Sequence, residues 1–145
     1  MYPHIRDIRE DRDKLQSEIA DYLGVTVTAY GKYETGQNKI PVCRLIALAQ
    51  YYGVSVDFLL GETRSLTRHP AASERREPRL REIRKEWGFN QTEIAERLNM
   101  SQMGYSKYET GRCGVPTTIL IKLSRIYGVS IDYLLGITDV EKRYE

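Results

Sequence analysis

SQMGYSKYETG, residues Ser101–Gly111, and TVTAYGKYETG, residues Thr26–Gly36, are two versions of one segment. Each opens on a hydroxyl residue that can cap a helix start and closes on a glycine that can stop one. The spacing between these caps predicts a helix of about two and a half turns. Tyr105 and Tyr108 fall three apart, so they share a face and can enter a core. Tyr30 and Tyr33 do the same in the other version. Gln102, Met103, Ser106 and Lys107 are left for another face. An amide, a thioether, a hydroxyl and a cation suit the reading of base edges and phosphates in a DNA major groove. Alone, the peptide also fits an ordinary amphipathic helix.

The resemblance between the two segments extends well beyond them. Adding 75 to any number from Ile5 to Gly61 gives the second copy without a gap. QSEIADYL (16–23) becomes QTEIAERL (91–98), and YGVSVDFLLG (52–61) becomes YGVSIDYLLG (127–136). About 45% of the aligned pairs are identical. A long period present twice is a tandem duplication of a small domain, since a solenoid needs more and shorter units. The expected organisation is a first domain over 1–61, a linker over 62–79, a second domain over 80–136 and a tail over 137–145. The linker, ETRSLTRHPAASERREPR, has little apolar periodicity and reads as a partly disordered spacer. Its Arg75, Arg76 and Arg79 could touch phosphate. The tail is expected to extend the last helix or fray.

Within one unit, the pattern predicts five short helices. Ile5 and Ile8, matched by Leu80 and Ile83, begin an apolar stripe on the first. Trp87 and Phe89 are expected to add to that core in the second copy. Ile19, Ala20 and Leu23 face inward on the second helix. Gly24 and Asn99 follow, types that tolerate a left-handed turn, and Thr26 and Ser101 then cap the third helix. A helix, a tight turn and a second helix make a helix-turn-helix. Pro41 and Pro116 suit the first turn of the fourth helix, whose stripe is Leu45 and Leu48, or Leu120 and Leu123. Ser55 and Ser130 can cap the fifth, with Asp57 and Asp132 in its first turn, where negative charge is favoured. The fold class expected is all-α.

Composition bounds the function. The 41% hydrophobic and 29% charged residues indicate a soluble globular protein. No apolar run approaches a membrane span, and the charged start MYPHIRDIRED lacks the apolar core of a signal peptide. A cytoplasmic location is therefore expected. The net charge of +2 says little by itself. Its distribution says more: residues 80–136 carry eight bases against six acids, residues 5–61 seven against eight. Attraction to phosphate is thus expected mainly in the second half and the linker. Cys43 and Cys113 hold unmatched places in the repeats and are expected to be reduced thiols. With His4 and His69 they show no ligand-like spacing, so no metal site is expected. There is no Ser/His/Asp or Cys/His set and no glycine-rich phosphate loop, so no enzyme activity, cofactor or small-molecule ligand is expected.

Q-x-E-I-A, S-x-x-x-Y-S-K-Y-E-T-G and G-V-S-I-D-Y-L-L-G, joined at this spacing, resemble the Xre, or lambda-repressor-like, helix-turn-helix family of bacterial and phage regulators. The resemblance covers about 5–61 and 80–136. It implies a sequence-specific regulator of transcription with double-stranded DNA as its partner and the third helix of each unit in the major groove. The base-facing positions would be Gln102, Met103 and Lys107 in the second unit, and Val27, Thr28 and Lys32 in the first. Gln102 can pair with adenine, lysine can donate to guanine, and Val, Thr or Met can touch a thymine methyl. Gln16 and Gln91 resemble the family's phosphate-contacting glutamine, at a helix start that attracts anions. Ser106, Asn38, Lys39 and Arg112 could add phosphate contacts that fix register. Glu34 and Glu109 resemble the family's structural glutamate, with Arg9 and Arg84 as ion-pair partners.

The copies are unequal. Leu15 stands where Asn90 offers a better helix cap. Gly31 replaces Ser106, and Val27 replaces the bidentate Gln102. The second unit is therefore expected to supply most base discrimination. The linker's 18 residues reach roughly 60 Å when extended and average roughly 20–25 Å as a coil. One chain could then span two unlike half-sites about one DNA turn apart. A homodimer stays open. So does a different class of function: an adaptor or antitoxin-like role in which one unit holds a protein partner. A small regulator without a third domain is expected to repress by occupying its site.

Overall fold

A computed structural model of the chain describes residues 3–66, 68–70, 78–111 and 114–144. Residues up to Arg68 form one compact unit and His69–Tyr144 a second. Unit 1 contains α1 (Pro3–Asp11), α2 (Gln16–Leu23), α3 (Val27–Thr35), α4 (Val42–Tyr52) and α5 (Val56–Leu59). Unit 2 contains α6 (Leu80–Glu86), α7 (Gln91–Arg97), α8 (Gln102–Ser106), α9 (Thr117–Tyr127) and α10 (Ile131–Leu134). Among the described residues there is no β-strand, and the fold is all-α with two five-helix units in tandem.

None of these helices is long enough to persist alone in water, so each depends on its buried face. Ile5, Ile19, Ala20, Tyr30, Leu45, Leu48 and Leu59 are all fully enclosed in unit 1. Their counterparts Leu80, Ile94, Ala95, Tyr105, Leu120, Leu123 and Leu134 are enclosed in unit 2. The turn before the third helix has a left-handed residue in both, Gly24 at φ +72° and Asn99 at φ +61°. Thr26 Oγ1 then accepts from Ala29 N at 3.1 Å, and Ser101 Oγ from Gly104 N at 3.1 Å. Pro41 and Pro116 stand as the residue just before the fourth helix. Ser55 and Ser130 cap the fifth, accepting from Phe58 N and Tyr133 N.

One buried ion pair joins three helices in each unit. Arg9 Nε donates to Glu34 Oε2 at 2.6 Å, and Arg9 Nη1 to the Lys14 carbonyl at 2.9 Å. In unit 2, Arg84 Nε donates to Glu109 Oε2 at 2.7 Å and Nη1 to the Phe89 carbonyl at 2.8 Å. Gln16 and Gln91 each add a donor to the same carboxylate, at 3.1 Å. Burial alone would raise the pKa of these glutamates. The arginine, the adjacent tyrosine hydroxyl and the glutamine amide outweigh it and hold both carboxyls below their ordinary value. Burial first, and then the neighbouring carboxylate, pushes the Tyr30 and Tyr105 hydroxyls well up.

Several expectations are corrected. The third helix of unit 2 is not one α-helix; it tightens after Ser106 into a 3-10 turn over Lys107–Glu109, whereas α3 runs unbroken to Thr35. Gly104, opposite Ala29, gives α8 its own weak residue. A Cβ there would lie 3.2 Å from Met100 Cε and from Ser101 Oγ, a tight fit that either side chain would have to ease by a few tenths of an ångström. Trp87 is not core but 51% exposed, because it lies past the last buried turn of α6. Phe89 is half-buried beneath the Arg97 guanidinium, 4.6 Å from its ring centroid. Arg79 is not free for phosphate: it is buried, ion-paired with Asp139 and lies 4.4 Å over the Tyr133 ring. Cys43 is not a reduced thiol but disulfide-bonded. Arg75, Arg76, Arg112 and Cys113 lie outside the described residues. The tail neither extends α10 nor frays. Thr138 Oγ1 donates to the Pro70 carbonyl, and the Tyr144 hydroxyl to Asp132 Oδ2 at 3.0 Å.

Two stability tests follow from this packing. Glu109→Ala strands the Arg84 charge and should destabilise unit 2 by about 3–5 kcal/mol in chemical denaturation. Because the folded carboxyls sit below the ordinary value of 4.5, their contribution is present above that pH. It should be lost as pH falls through the depressed value, and the variant should show a flatter acid limb than the parent. Asn90 Oδ1 accepts from Glu93 N at 2.8 Å, whereas Leu15 makes no side-chain cap. Leu15→Asn should raise the stability of unit 1 by about 1 kcal/mol, read as a higher urea midpoint.

Candidate nucleic-acid interface

The exposed side of the helix-turn-helix in unit 2 is built on the buried pair. Glu109, ionised, can only accept hydrogen bonds. Gln91 must therefore turn its amide nitrogen to the carboxylate, with Nε2 donating to Glu109 Oε1 at 3.1 Å. That leaves Gln91 Oε1 as an acceptor, and Gln102 Nε2 donates to it at 2.5 Å. The chain of donors thus runs outward to inward, from Gln102 to Gln91 to Glu109. It fixes the Gln102 amide at the first turn of α8, with its Oε1 and second N–H still available. Met103, 75% exposed, stands beside it on α8, and the exposed Lys107 opens the 3-10 turn that follows.

Ser106 is half-buried and shares a polar hollow of about 680 Å³ with Gln91, Arg81, Glu82 and Thr110, over the Arg84–Glu109 pair. Arg81 was not among the expected site residues. The signal for it was the basic position shared by both copies, Arg6 and Arg81. In unit 1 Arg6 Nε is neutralised by Glu10 at 2.9 Å. In unit 2 the place of Glu10 is taken by Lys85, so the same helix face stays positive.

In unit 1, Gln16 Nε2 donates to Glu34 Oε1 at 3.1 Å, but Val27 has no amide to continue the chain. Val27 is 46% exposed, and Thr28 and Lys32 are exposed beside it on α3. Gly31 leaves space beside Gln16, where a Cβ would lie 3.8 Å from its Oε1. Asn38 and Lys39 are exposed in the loop after α3, where Asn38 N donates to the Lys32 carbonyl at 3.2 Å. Tyr22 and Tyr51, both exposed, pack ring to ring at 4.6 Å on another side. Among the described residues no group of three His, Cys, Asp or Glu could hold a metal ion, and no helix is long and apolar enough to cross a membrane.

The chain is 45% identical over 67 residues to the HTH-type transcriptional regulator ImmR of Bacillus subtilis (strain 168), covering 46% of this chain and 53% of that protein. It is 38% identical over 61 residues to the uncharacterized HTH-type transcriptional regulator YobD of the same organism, covering 42% and 54%. It is 34% identical over 53 residues to the cryptic phage CTXphi transcriptional repressor RstR of Vibrio cholerae serotype O1, covering 37% and 47%. The chain thus spans about half the length of the curated relatives it matches. No solved structure gives a significant match. The Helix-turn-helix family matches residues 5–59 and again 80–134, and with both matches falling on the two five-helix units, the chain belongs to the helix-turn-helix family and carries two of its domains in tandem.

Proposed function

We propose that the chain is a sequence-specific double-stranded DNA-binding regulator of transcription, a cytoplasmic repressor without enzymatic activity. The observation that carries this is the Gln102–Gln91–Glu109 chain of hydrogen bonds, which presents one oriented amide at the head of an exposed helix. Gln102 pairs with adenine, Met103 covers a thymine methyl and Lys107 donates to guanine acceptors. Gln91, Ser106 and Arg81 hold the flanking phosphates, and Arg112 extends that contact. In unit 1 Val27, Thr28 and Lys32 face the bases, and Gln16, Asn38 and Lys39 the backbone. The relatives named as regulators and as a repressor support this reading.

A second reading is supported by unit 1. Its first reading position is an exposed valine, and Tyr22, Tyr51 and Leu15 are exposed apolar groups on the same unit. Such a surface suits a protein partner.

Selection of random duplex DNA by the full chain, at near-physiological salt, should return two unlike half-sites about one turn, roughly 34 Å, apart. A single half-site would assign unit 1 to a protein partner. Binding that enriches no sequence and only weakens with salt would overturn the regulator reading. On the selected site, Gln102→Ala should cost about 1–3 kcal/mol of base discrimination at one position, and Thr28→Ala less. Equal losses would reject the leading role of unit 2.

A further inference from the structure

A hollow of about 340 Å³ on unit 2 shares no residue with the reading face. Ile83, Tyr127 and Val129 are its buried lining. Trp87, the sole tryptophan of the chain, stands 51% exposed over it and meets the Tyr127 ring at 5.4 Å and 60°. Glu86 and Glu141 line it as well, and Lys142 forms part of one wall. The eleven-residue helix α9 ends here at Tyr127, bringing the negative end of its dipole. Aromatic faces, carboxylates and a helix carboxyl end all favour a cation.

Unit 1 identifies which cation. Subtracting 75 turns this lining into Ile8, Asp11, Arg12, Tyr52 and Val54. Arg12 holds the place of Trp87, and its Nη1 donates at 3.2 Å to the carbonyl of Tyr52, the last residue of α4. Unit 1 therefore sets its own guanidinium on this helix end. Unit 2 has an indole at that position, keeps an acid (Glu86 for Asp11) and the helix end beside it, and adds Glu141 from the segment after the repeat.

We propose that this hollow docks an arginine side chain carried on a basic segment of a partner polypeptide. The guanidinium stacks on Trp87, donates towards the end of α9 as Arg12 does towards α4, and is neutralised by Glu86 and Glu141. A guanidinium suits the corner better than an ammonium, because it is planar, stacks on rings and is weakly hydrated. The chain could hold DNA and this partner at once.

Trp87 reports on the hollow directly. Titration of the full chain with N-acetyl-arginine methylamide should give a saturable fluorescence change. The citrulline analogue, similar in shape but uncharged, should give none. Glu86→Gln combined with Glu141→Gln should weaken the arginine response about five-fold. Trp87→Arg restores the arrangement of unit 1 and should abolish binding in calorimetry with helix content unchanged. No saturable response, or equal responses to arginine and citrulline, would overturn the proposal. So would a shift of Trp87 emission with protein concentration alone, which would give the hollow to a second copy.

Discussion

The buried arginine–glutamate pair is the constraint on which each unit rests. Arg84 lies on α6 and Glu109 at the end of the 3-10 turn after α8, and the arginine also holds the Phe89 carbonyl ahead of α7. Three short elements are thereby tied to one planar group. Such a pair contributes little net stability compared with an apolar substitute. Its value lies in geometry, because only one arrangement of the helices satisfies both charges. The same carboxylate also fixes which way the Gln91 amide turns, and through it Gln102. The packing of unit 2 and the orientation of its exposed Gln102 therefore depend on one acceptor.

Much of this was legible in the sequence, for identifiable reasons. The gapless register between the copies located the ten α-helices of the described residues, since apolar stripes, turn residues and most caps recur at both places. Thr26, Ser101, Ser55 and Ser130 each accept the amide that their positions implied. What escaped was set mostly by packing at a distance. Nothing in the repeat told that the third helix of unit 2 would tighten into a 3-10 turn over Lys107–Glu109 while α3 ran on to Thr35. Trp87 looked like core because it is large, apolar and spaced like the stripe of Leu80 and Ile83, yet it falls one residue beyond the end of α6. Arg79 looked like a linker cation, but its partner Asp139 lies sixty positions away. For the candidate site, the exposed residues of α8 were readable, whereas the order of the hydrogen bonds behind them needed coordinates.

The two copies share a backbone plan and differ in how they use it. Unit 1 neutralises its surface locally, pairing Arg6 with Glu10 and seating Arg12 on the end of α4. Unit 2 carries Lys85 and Trp87 at the matching places, leaving positive charge on one side and an aromatic corner on another. Duplication permits such divergence, because each domain keeps its own core and ion pair while exposed positions change.

The closing of unit 2 on itself has a different consequence. The ring of His69, its first residue, stacks on that of Tyr144 near its end at 4.1 Å, and His69 N donates to the Tyr144 hydroxyl. A module whose chain enters and leaves at one spot can be copied, moved or spliced into a host loop without pulling its interior apart. The clasp that finishes this domain also makes it portable, as a cassette that another protein could accept at a single surface site.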